Sequence, residues 1–202
     1  MSSAGALTTA DVVTAADGAA REIPGLEGLS PASSLCAPAV TCRCAPGDNL
    51  ALHRLLYSAP AGSVLVCDAG GRRDAGYFGE LMATEALNRG LAGLVLDGAV
   101  RDGVALLELG FPVFHRGFAP SPCAKSEAPS IGEEVELAGI PVAPGDQIVA
   151  DRDAVVVVSR ASWSAVEVGA RALRADEAAL RAALARGERL AELIGLAGEG
   201  RS

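Results

Sequence analysis

Two short segments carry side chains whose types and spacing could do chemistry. The first is Asp97–Asp102, where Asp-Gly-Ala-Val-Arg-Asp follows an apolar run and leads into a helical pattern. Arg101 offers a planar guanidinium that suits a bidentate grip on a carboxylate or a developing enolate. Asp102 offers a hard oxygen ligand, and one carboxylate with several waters is a typical magnesium arrangement. The alternative is that the pair only caps the helix that it opens.

The second segment is Phe78–Ala83, in which Gly79 stands at the start of a predicted helix. The first backbone N–H groups of a helix lack intrahelical acceptors, and the positive end of the helix dipole lies behind them. Such an end can bind a small anion, for example a carboxylate. The alternative is an ordinary turn between a strand and a helix.

A strand–helix–strand–helix–strand pattern positions both segments. Helices are expected at Glu80–Arg89 and Asp102–Leu109, and a glycine-rich loop at Asp68–Gly79. The strands are expected at Val64–Cys67, Leu94–Leu96 and Phe111–Phe114. This spacing predicts right-handed crossovers onto a parallel sheet. Because loops at the carboxyl ends of neighbouring parallel strands face one crevice, the two segments should converge there.

The remaining chain supplies flanking elements. We expect a helix at Thr8–Ala20, a short strand at Val40–Cys44 and a helix at Leu50–Ser58. Short strands between residues 133 and 158 suggest a β layer over the α/β part. From Ser164 to about Ala197 a broken apolar stripe predicts a long helix that packs on the body or on a neighbouring subunit. The chain thus divides into residues 1–160 and a C-terminal helical extension, 161–202.

Composition and charge exclude several classes of function. The 202 residues include 25 acidic and 17 basic side chains, for a net charge of −8, which disfavours sequence-independent nucleic-acid binding. No apolar run approaches the roughly 20 residues that a membrane-spanning helix needs, so no such helix is expected. Residues 1–6 show no basic segment followed by an apolar one, so we expect no secretory signal and a cytoplasmic protein.

The cysteines and the lysine bear on two further classes of site, zinc sites and Schiff-base lysines. Cys42 and Cys44 form a Cys-x-Cys, but no second Cys or His pair at comparable spacing follows, so reduced thiols are expected rather than a zinc site. Lys125 is the one lysine and lies in a Pro- and Ser-rich stretch. It is interpreted as a surface residue, which sets Schiff-base chemistry aside.

Further candidates have weaker support. Asp48 and Asn49 could reach the same crevice or could cap a helix. Glu80, Glu85 and Asp97 are candidate proton carriers or partners of the site residues.

Five blocks of the sequence occur together: Gly47–Asn49, Gly79–Ala83, Asp97–Asp102, Phe111–Phe114 and Pro144–Asp146. In their order and spacing they resemble the RraA-like family. More narrowly, the chain resembles the aldolase branch, the 4-hydroxy-4-methyl-2-oxoglutarate / 4-carboxy-4-hydroxy-2-oxoadipate aldolases, from about Leu7 to Val158.

The resemblance implies a fold, an activity and roles for individual residues. The fold is a layered β/β/α swivelling-type α/β domain, assembled as a homotrimer or hexamer. The implied activity is that of a divalent-metal (class II) pyruvate aldolase, whose cofactor would be Mg²⁺, Mn²⁺ or another divalent cation. Its substrate would be a small 2-oxo acid, and oxaloacetate decarboxylase activity would accompany the aldolase activity. Matching positions to the family assigns the residue roles. Arg101 would contact the substrate and stabilise the enolate, and Asp102 would hold the metal. The substrate carboxylate would be held by the backbone amides of Gly79, Glu80, Leu81 and Met82.

Two other functions are compatible with this resemblance. The family also covers ribonuclease regulators that act by protein binding, and these typically lack the Arg-Asp pair. A specialised lyase of secondary metabolism could reuse the same enolate site.

Overall fold

The computed structural model describes residues 7–128 and 130–196. The helices are α1 Thr9–Ala15, α2 Leu50–Ser58, α3 Glu80–Asn88, α4 Gly103–Leu109, α5 Arg160–Ala185 and α6 Leu190–Leu193. The strands are β1 Ala20–Glu22, β2 Glu27–Gly28, β3 Leu35–Arg43, β4 Val64–Phe78, β5 Gly93–Val100, β6 Val113–His115, β7 Gly117–Phe118, β8 Ser130–Ile131, β9 Val135–Leu137, β10 Ile140–Val142, β11 Gln147–Ala150 and β12 Val155–Val158. None of the helices within this described part is long and apolar enough to cross a membrane.

One mixed sheet organises the molecule, in the order β1-β12-β11-β3-β4-β5-β6-β2. Its centre, β3-β4-β5-β6, is parallel, and helices α2, α3 and α4 form the crossovers. Strands β11 and β12 continue the sheet in the antiparallel sense beyond β3. The predicted parallel α/β centre is therefore confirmed.

The first halves of β4 and β5 are apolar runs because both faces of the sheet are covered there. In β4, Leu65 and Cys67 point into the core beneath α2, α3 and α4, whereas Val64 and Val66 point into the core on the other face. That second core is closed by the separate hairpin β9-β10. Helix layer, main sheet and small hairpin give the layered β/β/α arrangement that the resemblance implies.

A third core lies under the N- and C-terminal helices. Val12 of α1 and Val166 of α5 pack with Val149 and Val156 of the antiparallel strands. Thr8 caps α1 through a capping box with Asp11. Asp11 also accepts a hydrogen bond from Arg174 at 3.0 Å, which ties α5 to the body. The predicted long C-terminal helix is thus present.

Several predicted boundaries are wrong. The stretch Asp68–Gly79, expected as a loop, continues the strand up to Phe78, because irregular pairing with β5 overrides its glycine-rich composition. Helix α1 ends before Asp17 and Gly18, which both have positive φ angles.

At the other end, α5 starts earlier than Ser164, capped by Ser159, and stops at Ala185. The predicted end of this helix at Ala197 lies outside the described residues.

Candidate active site

The first turn of α3 presents backbone donors to solvent. Its first intrahelical bond is from the Ala83 N–H to the Gly79 carbonyl, so the N–H groups of Glu80, Leu81 and Met82 have no acceptor within the helix. A Cβ on Gly79 would lie 2.5 Å from Oδ2 of Asp102, so a larger residue here would displace that carboxylate. The turn of α3 and the carboxylate of Asp102 are therefore in direct contact.

The turn after β5 carries Arg101 and Asp102. The Arg101 N–H donates to the Phe78 carbonyl at 2.9 Å, which locks this turn against the end of β4. Asp102 is the N-cap residue of α4 and has φ +56°, a left-handed conformation that Asp adopts more readily than most residues. Backbone conformations of this kind concentrate at functional sites.

The carboxylate of Asp102 joins both turns. Its Oδ1 accepts a hydrogen bond from Nε of Arg101 at 3.3 Å, and its Oδ2 accepts one from the Glu80 N–H at 3.3 Å. The Arg101 and Asp102 side chains remain 39% and 36% exposed. The terminal guanidinium nitrogens and the remaining carboxylate lone pairs are thus available to a bound molecule.

These groups line one cavity of about 250 Å³. Of the predicted site residues, Gly79, Leu81, Met82, Arg101 and Asp102 are on its wall. The Glu80 side chain is exposed and does not line the cavity, so this residue contributes through its backbone N–H. The expected convergence of the two turns is present in the structure.

Lys125 is an exposed residue, as the sequence predicts, and it also lies on the cavity wall. The buried carboxylate of Asp48 holds its loop: Oδ2 accepts hydrogen bonds from the backbone N–H groups of Ser126 at 2.6 Å and Glu127 at 3.2 Å. Burial opposes ionisation of Asp48, but these bonds and one from Leu50 outweigh it and lower the pKa of Asp48. Asp48 thus acts as a loop anchor.

Asn49 and His53 of the α2 region complete the wall. The Asn49 Nδ2 donates to the Tyr77 carbonyl at 2.8 Å, and its buried Oδ1 has no hydrogen-bond partner within the described protein. Burial, and secondly the charge of Lys125, lowers the pKa of His53. At neutral pH His53 is therefore an uncharged imidazole, able to accept a proton.

Two other candidates from the sequence are engaged elsewhere. Asp97 is buried in an ion pair with Arg116, whose Nε lies 2.6 Å from Oδ1. Glu85 lies 3.5 Å from Arg89 along α3. Neither acid lines the cavity.

The residues present fit a hard divalent cation at Asp102. The carboxylate is half-exposed on an open cavity and keeps free lone pairs, as a magnesium ligand requires. Across residues 7–128 and 130–196, no set of three metal-ligand side chains includes Asp102. A cation held there would therefore keep mostly water in its coordination shell, which is how Mg²⁺ commonly binds.

Comparison with known proteins agrees with the fold. A family model described as RraA-like, Aldolase/RraA, matches residues 9–157. A protein from Halalkalibacterium halodurans with the name "Putative 4-hydroxy-4-methyl-2-oxoglutarate aldolase" is 33% identical over 178 residues, covering 88% of this chain and 85% of that protein.

Two solved structures are similar over most of their length. An uncharacterised protein from Pseudomonas syringae pv. tomato superposes with a TM-score of 0.80 at 27% identity, covering 92% of each chain. RraAS2 of Streptomyces coelicolor, described as an unusual member of the RNase ES inhibitor RraA family, gives 0.74 at 26% identity, covering 86% of this chain and 91% of that one. By the match of the family model and by these relatives, the chain belongs to the RraA-like family.

Proposed function

We propose that the protein is a divalent-metal-dependent (class II) pyruvate aldolase that cleaves a 4-hydroxy-2-oxo acid, with oxaloacetate decarboxylase activity at the same site. The observation that carries the proposal is the meeting of three groups on one cavity: the backbone amides of Leu81 and Met82, the Arg101 guanidinium and the Asp102 carboxylate. The aldolase name of the Halalkalibacterium relative supports it.

Substrate binding follows from the charges on the wall. The 2-oxo acid carboxylate accepts hydrogen bonds from the N–H groups of Leu81 and Met82, where the helix dipole favours an anion. The Lys125 ammonium gives the cavity a second positive charge, which suits the distal carboxylate of a diacid. The substrate is thereby held at both ends.

Bond cleavage moves charge toward Arg101. When the C3–C4 bond breaks, its electron pair becomes the enolate of pyruvate, and negative charge builds on the former 2-oxo oxygen. The guanidinium of Arg101 stabilises that oxygen by a hydrogen bond that strengthens as the charge develops. A divalent cation at Asp102, when bound, supplies Lewis-acid polarisation of the same carbonyl group.

A proton must leave the 4-hydroxyl group for the bond to break. His53 lies on the same wall and is neutral at pH 7, so we assign it to accept this proton. A proton delivered to C3 of the enolate then completes pyruvate, and the other product leaves as a carbonyl compound.

A pyruvate-release assay tests the proposal. Oxaloacetate and a series of 4-hydroxy-2-oxo diacids are offered with Mg²⁺, with Mn²⁺ and with EDTA. We expect pyruvate from at least one substrate, loss of turnover with EDTA, and no metal-dependent turnover in Asp102→Asn, which keeps the shape of the side chain. Full activity in EDTA would contradict the metal requirement.

A second candidate function is regulation of a partner by protein binding. It is favoured by the likeness to the described RNase ES inhibitor family, and the exposed apolar side chains of Leu81 (84%), Val104 (74%) and Phe118 (59%) could contact another chain. We propose instead that these side chains pack in a homotrimer or hexamer. A stoichiometric foreign partner on purification, with no pyruvate from any 2-oxo acid, would favour the regulator.

A further inference from the structure

Three buried cysteines form a cluster that the proposed aldolase chemistry does not use. Cys42 lies in β3, Cys44 comes directly after that strand, and both side chains enter the same core. Cys67 of β4 is the register partner of Cys42 in the parallel pair, so all three thiols enter the core beneath α2. Their exposed fractions are 0%, 6% and 0% in the order Cys42, Cys44, Cys67.

The spacing of the sulfurs suits a single bound ion. All three Sγ atoms lie within 4.8 Å of one another, and those of Cys44 and Cys67 are 3.5 Å apart. Three thiolates around one metal at about 2.3 Å would be separated by about 4.0 Å. One observed separation is 0.5 Å below that value and none exceeds it by more than 0.8 Å, so an ion could enter the triangle with small movements of the side chains.

The number of donors selects the kind of ion. Within the chain as described, the group contains three sulfurs and no fourth His, Cys, Asp or Glu ligand. Structural zinc sites are almost always four-coordinate and tetrahedral, whereas soft thiolates also select Cu(I), which accepts three sulfurs in a plane. The buried position leaves no open side for water as an additional ligand.

We propose that Cys42, Cys44 and Cys67 form a three-sulfur binding site for one soft monovalent cation, Cu(I). This site is separate from the divalent-cation position at Asp102, and it stands whether or not the protein is an aldolase. Cys36 is exposed and Cys123 lines the substrate cavity, so neither belongs to the trio.

The test is an anaerobic titration of the reduced full-length protein with Cu(I) against a chromophoric Cu(I) chelator. We expect one tightly held ion per chain, and X-ray absorption of the loaded protein should show three sulfur neighbours at about 2.3 Å. Cys44→Ala should weaken binding by at least about tenfold, because loss of a ligand costs at least as much as loss of a supporting contact. Cys36→Ala and Cys123→Ala are matched controls that should bind as the unmodified chain does.

Three results would overturn the proposal. One is no stoichiometric Cu(I) binding in competition with the chelator. Another is an equal loss of affinity in Cys36→Ala and Cys44→Ala, which would mark ordinary thiol binding. The third is an absorption spectrum with fewer than three sulfurs, and this measurement needs no variant, so it decides the matter even if Cys44→Ala does not fold.

Discussion

At the scale of single residues, Arg101 carries the largest share of the proposed chemistry. Lysine in its place keeps the positive charge but loses the planar fork. We expect Arg101→Lys to lower kcat for pyruvate release by about 100-fold, the usual cost of losing a donor to a developing oxyanion. The side chain is partly exposed, so the melting temperature should change little.

Arg171→Lys is the matched control for this change. Arg171 lies on the exposed face of α5 and pairs with Glu167 at 2.7 Å, away from the cavity. This variant should keep full activity. Near-normal kcat in Arg101→Lys would remove the guanidinium from the mechanism.

His53 gives the rate its expected dependence on pH. The base must be neutral to accept a proton, and burial lowers the pKa of His53 below the usual 6.5. The rate should therefore hold through neutral pH and fall only at more acidic pH. In His53→Gln this acidic limb should disappear together with most of kcat, as measured by pH–rate profiles of both proteins; an unchanged profile would assign the proton to another group.

At the scale of the elements, close approach of two turns defines the site. A Cβ on Gly79 would meet both Oδ2 of Asp102 and Cγ of Arg101, the latter at 2.9 Å. Gly79→Ala should push both side chains from their positions, and displacement by an ångström can cost about 100-fold in rate. Steady-state kinetics should show this loss with only a small change in thermal stability, because both side chains can move into solvent.

Gly169→Ala serves as the comparison for Gly79→Ala. Gly169 is in the interior of α5, where a Cβ would lie 3.2 Å from Cβ of Ala15. The change should leave kinetics unaltered. Equal kinetics of Gly79→Ala and the unmodified protein would show that the contact between the turns is not needed.

The alternation of strands and helices around the site could be predicted from the sequence, but the far wall of the cavity could not. Apolar runs and the residues that begin a helix can be recognised from neighbouring residues alone. They are enough to predict that Arg101 and Gly79 lie at the same edge of the sheet. The loop of Lys125 is held at that edge by distant residues: Asp48, 78 residues before Ser126, accepts hydrogen bonds from it, and Ala124 pairs with the backbone of Gly47 and Asn49. Cys67 meets Cys42 for a similar reason, since the parallel register of two strands sets the pair.

The full length of strand β4 could not be predicted from the sequence either. Its middle contains Gly70 and Gly71, both with positive φ angles, and composition alone favours a loop. Pairing with β5, with several register shifts, keeps this stretch in the strand. Such pairing cannot be recognised from the residues of β4 alone.

At the scale of the whole molecule, the half-buried His53 and the buried His115 link folding to pH. Burial lowers the pKa of His115, although the backbone of Gly117 opposes this, and burial lowers the pKa of His53 as well. The unfolded chain then binds protons more readily, so the free energy of unfolding should fall as pH drops below about 6.5. Asp11 and Asp48, with lowered pKa values, should add to this loss only at more acidic pH.

Denaturant unfolding at several pH values between neutral and mildly acidic checks this expectation. His115→Asn can keep an acceptor for the Gly117 N–H, now 2.9 Å from Nδ1 of His115, but it cannot titrate. Its stability should therefore depend less steeply on pH. An equally steep dependence in His115→Asn would show that other groups cause it.

The most direct measurement of the site is exchange of the methyl protons of pyruvate with deuterium, followed by NMR, because it requires the enolate but no knowledge of the natural substrate. With Mg²⁺, the unmodified protein should exchange these protons well above the buffer rate. EDTA should abolish the exchange, and Arg101→Lys should slow it by about 100-fold. No exchange by the unmodified protein, or equal exchange by Arg101→Lys, would contradict an enolate held at this cavity.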